Sequence, residues 1–244
     1  MSSSASLPVM RPPAQTDTRH VYTRIKICGL TREADVDAAV AEGADAVGFV
    51  LYPASARAVS VDRAAALAAR LPPFVTPVLL FVNETPAAVQ HALTAVPGAI
   101  AQFHGDESPA QCVQASGHGA YRFLRAARIP LGAAGAEFDL VKYASDYSHA
   151  QAILLDAHVD GFGGGGKAFD WSLLPTAVDA HLVLSGGLTP ANVADGIRQL
   201  RPRCRSLAVD VSSGVEASKG IKDAVKIREF VAAVRGAQGA TACP

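Results

Sequence analysis

What this chain of 244 residues has little of already narrows its nature. It holds only four cysteines, Cys28, Cys112, Cys204 and Cys243, and no two of them form a C-x-x-C pair. That spacing offers neither a zinc site nor a disulfide framework and fits a reducing compartment. Net charge is lacking as well, because 22 basic and 22 acidic side chains cancel. A chain-wide field for nucleic acid or for a membrane surface is thereby excluded, while a local anion site is not. No apolar run reaches the ~18 to 20 residues of a bilayer span, and residues 1–20 lack the apolar centre of a secretion signal. The expected location is cytoplasmic.

What is present is a repeated strand-then-helix rhythm in a chain that is half hydrophobic and only 18% charged. Residues 1–20, rich in Ser and Pro, have too little apolar surface to offset the entropy of ordering and are expected to form a disordered tail. Strand-like runs follow at 24–28, 46–51, 75–82, 99–103, 121–126, 152–155, 181–184 and 207–211. Helical runs lie between them. Thr31, Thr85 and Ser108 are predicted N-caps, Gly43 a left-handed helix end, and Pro72-Pro73 a stop. Thr189 and Pro190 are expected to open the seventh unit's helix. The last helix should bury Ile227, Phe230, Val231 and Val234. Eight such units predict an α/β protein, a single-domain (β/α)8 TIM barrel over residues 21–238, with 239–244 as a flexible C-terminus. An open doubly wound sheet competes, but it normally uses fewer units.

In such a barrel the chemistry collects at the carboxyl ends of the strands. The polar residues expected there are Cys28, Arg57, Asn83, His104, Arg125, Asp156 and Asp210. Desolvation of a strand-end carboxylate favours the protonated form that a general acid needs, which singles out Asp156. A guanidinium such as Arg57 can grip a carboxylate by two parallel hydrogen bonds. Small residues after the last strands suit an anion, whose oxygens bare backbone N–H groups can approach. They are Gly186 and Gly187 after strand seven, and Ser212, Ser213 and Gly214 after strand eight. Gly164, Gly165 and Gly166 in the loop after strand six would add donors. Lys26, two residues from Cys28 and so on the same side of the strand, is the expected source of thiol activation.

Several runs resemble one family, phosphoribosylanthranilate isomerase, across about residues 24–235. They are Lys26-Ile27-Cys28-Gly29-Leu30, Ser55-Ala56-Arg57, Phe81-Val82-Asn83, Gln102-Phe103-His104-Gly105-Asp106-Glu107, Leu154-Leu155-Asp156 and Phe169-Asp170-Trp171. Leu184-Ser185-Gly186-Gly187-Leu188-Thr189-Pro190 and Val209-Asp210-Val211-Ser212-Ser213-Gly214-Val215-Glu216 complete the set. The resemblance implies a cofactor-free Amadori rearrangement in tryptophan biosynthesis, with no metal and a small phosphorylated substrate. It implies Cys28 as general base and Asp156 as general acid. Arg57, His104 and Asp210 are expected to bind substrate, with Arg57 on the anthranilate carboxylate. The expected assembly is a monomer or homodimer, and neither nucleic acid nor membrane is an expected partner. The chain departs from the family pattern at Ala56, where proline is common, at Gly165 for threonine, at Ser185 for alanine and at Lys219 for proline. A barrel that had lost catalysis would have no use for both Cys28 and Asp156. A bifunctional isomerase also serving histidine biosynthesis is the nearer rival, and Cys28 stands where an aspartate would be expected for it.

Overall fold

The computed structural model describes residues 22–157 and 170–239. The expectations for the N-terminal tail, for the glycines from Gly163 to Gly166, for Phe169 and for residues 240–244 lie outside the described residues. Eight parallel strands close into a barrel in chain order, as the strand-helix rhythm predicts. They are β1 (Arg24–Cys28), β2 (Ala46–Val50), β3 (Thr76–Phe81), β4 (Ile100–Phe103), β5 (Phe123–Ile129), β6 (Ala152–Ala157), β7 (Val178–Leu184) and β8 (Cys204–Val211). Helices α1 (Glu33–Ala41), α2 (Val61–Ala68), α3 (Pro86–Ala95), α4 (Pro109–Ala115), α5 (Leu140–Asp146), α6 (Val193–Leu200) and α7 (Ala224–Gly239) connect and cover them. A two-stranded antiparallel hairpin, β9 (Glu216–Ser218) and β10 (Ile221–Lys222), lies between β8 and α7.

The period of two along each strand separates two environments. On β1, Ile25 and Ile27 are fully buried in the large core between strands and helices. Lys26 alternates with them and faces the lumen, where it meets Asp210 of β8 across the seam that closes the barrel. Lower in the lumen the filling is small and apolar: Ala126, Leu154 and Val183, with Ala152 and Ala208 packed against them. The barrel is thus apolar at its centre and polar toward the carboxyl ends.

Several local expectations hold. Thr85 and Ser108 accept from backbone N–H groups at the starts of α3 and α4, and Ser108 forms a full capping box with Gln111. Gly43 ends α1 at φ 89°, a conformation without cost for glycine. Ile227, Phe230, Val231 and Val234 are buried as expected.

Four local expectations are corrected. Thr31 does not cap α1; its hydroxyl donates to the Gly220 carbonyl, and Arg32 occupies the cap position. Helix α6 begins at Val193, not at Thr189, because the Asn192 side chain accepts from Thr189 N–H and closes a turn first. The helical run expected between β5 and β6 consists of a 3-10 segment, Gly132–Glu137, followed by the short α5. Finally β5 runs to Ile129 rather than ending at Ala126. That extension carries Arg128 up to the polar end, in register with Asp156.

Candidate active site

Two polar groups face each other across the upper lumen. One contains Cys28, Lys26 and Asp210. Lys26 Nζ donates to Asp210 Oδ1 at 2.9 Å, with both side chains buried. Burial works against the Lys26 charge, but Asp210 and Cys28 outweigh it and hold the ammonium well above its usual range. Burial pushes the Cys28 thiol up, Lys26 draws it down, and Asp210 pushes it up again, with a raised net result. Lys26 therefore acts in the expected direction without overcoming desolvation. Gly48 of β2 makes the room: a Cβ there would lie 2.7 Å from Cys28 Sγ and 3.0 Å from Lys26 Nζ.

The other group is a chain of three buried side chains. Gln102 Nε2 lies 3.0 Å from His104 Nδ1, and His104 Nε2 lies 2.9 Å from Asp156 Oδ2. The second Asp156 oxygen accepts from Ala157 N–H at 3.0 Å. Gly186 passes close by at φ 74°, where a Cβ would lie 2.9 Å from Asp156 Oδ1 and 2.6 Å from Ala157 N. Only glycine fits both the backbone conformation and the space. Ser185 Oγ donates to Asp210 Oδ2 at 3.4 Å, which ties the end of β7 to that of β8.

At the rim, Arg57 is buried and already holds a carboxylate, that of Glu216. Its Nε and Nη2 donate to the two Glu216 oxygens at 2.7 and 2.8 Å. Lys222 Nζ donates to Glu216 Oε1 at 2.9 Å and to the Ser212 carbonyl at 3.0 Å. Burial opposes the Glu216 charge, yet the hydrogen bonds from Arg57 and Lys222 hold its carboxyl below the usual range. Burial draws the Lys222 ammonium down despite Glu216. Ser213, Gly214 and Val215 form one 3-10 turn after β8. Gly214 packs against the Leu188 carbonyl so closely that no side chain would fit. Gly186 and Gly187 are consecutive left-handed residues at φ 74° and 67°. Gly164, Gly165 and Gly166 lie outside the described residues.

Two of the expected polar residues serve the scaffold. Asn83, itself at φ 51°, accepts from Asp106 N–H at 2.7 Å and its own N–H donates to Glu107 at 2.7 Å. Arg125 points out of the barrel: it donates to Glu107 at 2.7 Å and to the carbonyls of Phe103 and Gly105, and it stacks over Tyr147. Both brace the loop that carries His104. Gln102, Glu216 and Lys222 were not singled out from sequence. Gln102 could have been, since it precedes His104 by two residues and must share its side of the strand. Glu216 and Lys222 could not, because only the β9–β10 hairpin brings them together.

A closed eight-stranded β/α barrel with ionisable side chains gathered at the carboxyl ends of its strands defines the class: a (β/α)8-barrel enzyme. The family model for N-(5'-phosphoribosyl)anthranilate isomerase matches residues 25–233, and the chain belongs to that family of isomerases in tryptophan biosynthesis. It is 61% identical over 215 residues to the N-(5'-phosphoribosyl)anthranilate isomerase of Leptothrix cholodnii, a match covering 88% of this chain and 92% of that one. It is also 61% identical over 220 residues to the enzyme of Methylibium petroleiphilum, covering 90% and 97%. Among solved structures, the phosphoribosyl anthranilate isomerase of Thermotoga maritima superposes with a TM-score of 0.75 at 39% identity, over 88% of this chain and all of that one. A phosphoribosyl anthranilate isomerase in complex with reduced 1-(o-carboxyphenylamino)-1-deoxyribulose 5-phosphate superposes with a TM-score of 0.70 at 36% identity, over 88% of this chain and all of that one.

Proposed function

We propose that this barrel converts N-(5-phosphoribosyl)anthranilate to 1-(2-carboxyphenylamino)-1-deoxyribulose 5-phosphate, with Asp156 as general acid and Cys28 as general base. The observation that carries the reading is the pairing of a lumen-facing thiol on β1 with an imidazole-held carboxylate on β6, both at the polar end. A related isomerase bound to the reduced form of that product supports the substrate class.

Asp156 gives its proton to the ribose ring oxygen as the C1–O bond breaks, and the anthranilate nitrogen pushes its lone pair in to form an iminium. That cation acidifies the C2–H, which Cys28 removes to give an enolamine. The enolamine then tautomerises to the ketone, so no metal or redox cofactor is required. The raised thiol is not an obstacle. A positive iminium arriving beside a buried thiol favours its anion, in the same direction as Lys26 and Lys222 already act. Glu216 grips the Nε–Nη2 edge of Arg57, which leaves the Nη1–Nη2 end of the fork for the anthranilate carboxylate. His104 holds Asp156, and Asp210 holds Lys26. The backbone at Gly186, Gly187, Ser212, Ser213 and Gly214, with Gly164, Gly165 and Gly166, receives the phosphate.

Steady-state kinetics with the phosphoribosyl substrate test this. Cys28→Ser and Asp156→Asn are each expected to lower kcat by roughly 10²- to 10⁴-fold with little change in KM. Arg57→Ala is expected to raise KM by roughly 10- to 100-fold, the loss of hydrogen bonds to a charged group. Near-normal kcat in Cys28→Ser would remove the thiol from the role of base.

A further inference from the structure

Gln102 is fully buried on β4, and the two ends of its amide are treated differently. The nitrogen end meets His104 Nδ1 at 3.0 Å, while the oxygen end is buried with no partner. An NH2 group only donates, so Nδ1 accepts, and a neutral imidazole that accepts at Nδ1 carries its proton on Nε2. Nε2–H then donates to Asp156 Oδ2 at 2.9 Å, a hydrogen bond that a carboxylate accepts most strongly. This arrangement suits an acid that has already given up its proton.

Reloading adds one proton to the pair. Placed on the ring or within the His104–Asp156 hydrogen bond, that proton makes either an imidazolium beside the carboxylate or a neutral imidazole that accepts at Nε2 from an Asp156 O–H. In both forms Nδ1 carries hydrogen and needs an acceptor, and the Gln102 NH2 opposes it. A half-turn of the amide brings the unpartnered Oε1 to the ring.

We propose that Gln102 is a positioning residue for the acid, its amide turning over with the proton count of the His104–Asp156 pair. The NH2 end serves the spent pair and the Oε1 end the loaded one. One proton is taken up, and only N–H and O–H bonds change. The proposal rests on Asp156 as the acid. Other charged groups around the pair are Arg128, in register with Asp156 and 3.6 Å from Asp106, and the Glu107–Arg125 pair outside the barrel wall. Lys26, Cys28 and Asp210 face it across the lumen.

Nitrogen-15 spectra of the full chain read the His104 tautomer. In alkaline solution Nε2 is expected to carry the proton and Nδ1 none, and the Gln102 amide signals are expected to move as His104 is protonated. Gln102→Met keeps the volume but has no polar end; it is expected to lower kcat roughly tenfold with KM nearly unchanged. Gln102→Glu keeps an acceptor toward Nδ1–H and is expected to recover most of that loss. Amide signals indifferent to His104 protonation, or a Gln102→Met enzyme with unchanged tautomer and kcat, would overturn the proposal. Should Gln102→Met fail to fold, the wild-type spectra decide alone. If Asp156→Asn keeps full kcat while the amide still tracks His104, the acid assignment has failed and the coupling stands.

Discussion

Gly48 shows how one missing side chain shapes the site. It lies on β2 opposite Cys28, and the thiol and the Lys26 ammonium share the space that a Cβ would take. Its backbone is ordinary strand, so Gly48→Ala acts through crowding alone. Overpacking of this kind costs about 1–3 kcal/mol. The expected outcome is a lower urea midpoint together with a reduced kcat, because the group that must yield is the proposed base. An alanine enzyme with wild-type kcat would show that the thiol position is not critical. Cys28 and Lys26 were legible in the sequence through the period of two, as was their shared side of the strand. The balance between them was not, because it depends on how completely the lumen excludes water and on Asp210, which is 184 residues from Lys26 in the chain.

At the scale of elements, strand ends and helix caps set where the chemistry stands. Helix α4 is only seven residues long and follows directly on the His104 loop, so its start is held by the Ser108–Gln111 box. Ser108→Ala removes one half of that box and is expected to lower the unfolding free energy by about 1 kcal/mol. kcat should change little, since Arg125, Asn83 and Glu107 brace the loop independently. A fall in kcat matching that of Asp156→Asn would mean that the cap, rather than these braces, positions His104. The caps at Thr85 and Ser108 were readable because they depend on local residue chemistry; the start of α1 was not, because the Thr31 hydroxyl is taken by the distant Gly220 carbonyl. The extension of β5 to Ile129 was not, since Arg125 and Arg128 read as polar until the barrel assigns one to each face.

For the molecule as a whole, burial of thiols sets a limit at high pH. Burial pushes Cys112 up to about 12 and Cys204 up to about 11, and it raises Cys28 as well. An acid whose folded value lies above its unfolded one contributes stability that is complete below the unfolded value, near 9, and is lost as pH rises toward the folded one. Burial raises Tyr143 in the same sense, and Lys26, held charged by Asp210, also loses its contribution at high pH. Lys222, whose ammonium is drawn down, works the other way. The expected net result is a urea midpoint that falls steadily from pH 8 to pH 11. A flat or rising midpoint over that range would show that these groups are already hydrated in the native state.

The sequence by itself determined the eight strands and most of the helices, the barrel they close into, the caps at Thr85 and Ser108 and the strand ends at which Cys28, His104, Asp156 and Asp210 stand. These follow from local chemistry and from periods of two and 3.6 residues, which need no knowledge of distant neighbours. Only the tertiary structure decided which polar groups meet. Barrel closure sets Lys26 against Asp210, the β9–β10 hairpin brings Glu216 and Lys222 to Arg57, and the placing of β4 and β6 on either side of β5 gives His104 its carboxylate. Each is a contact between residues far apart in the chain, whose strength depends on a dry lumen that no single segment can form.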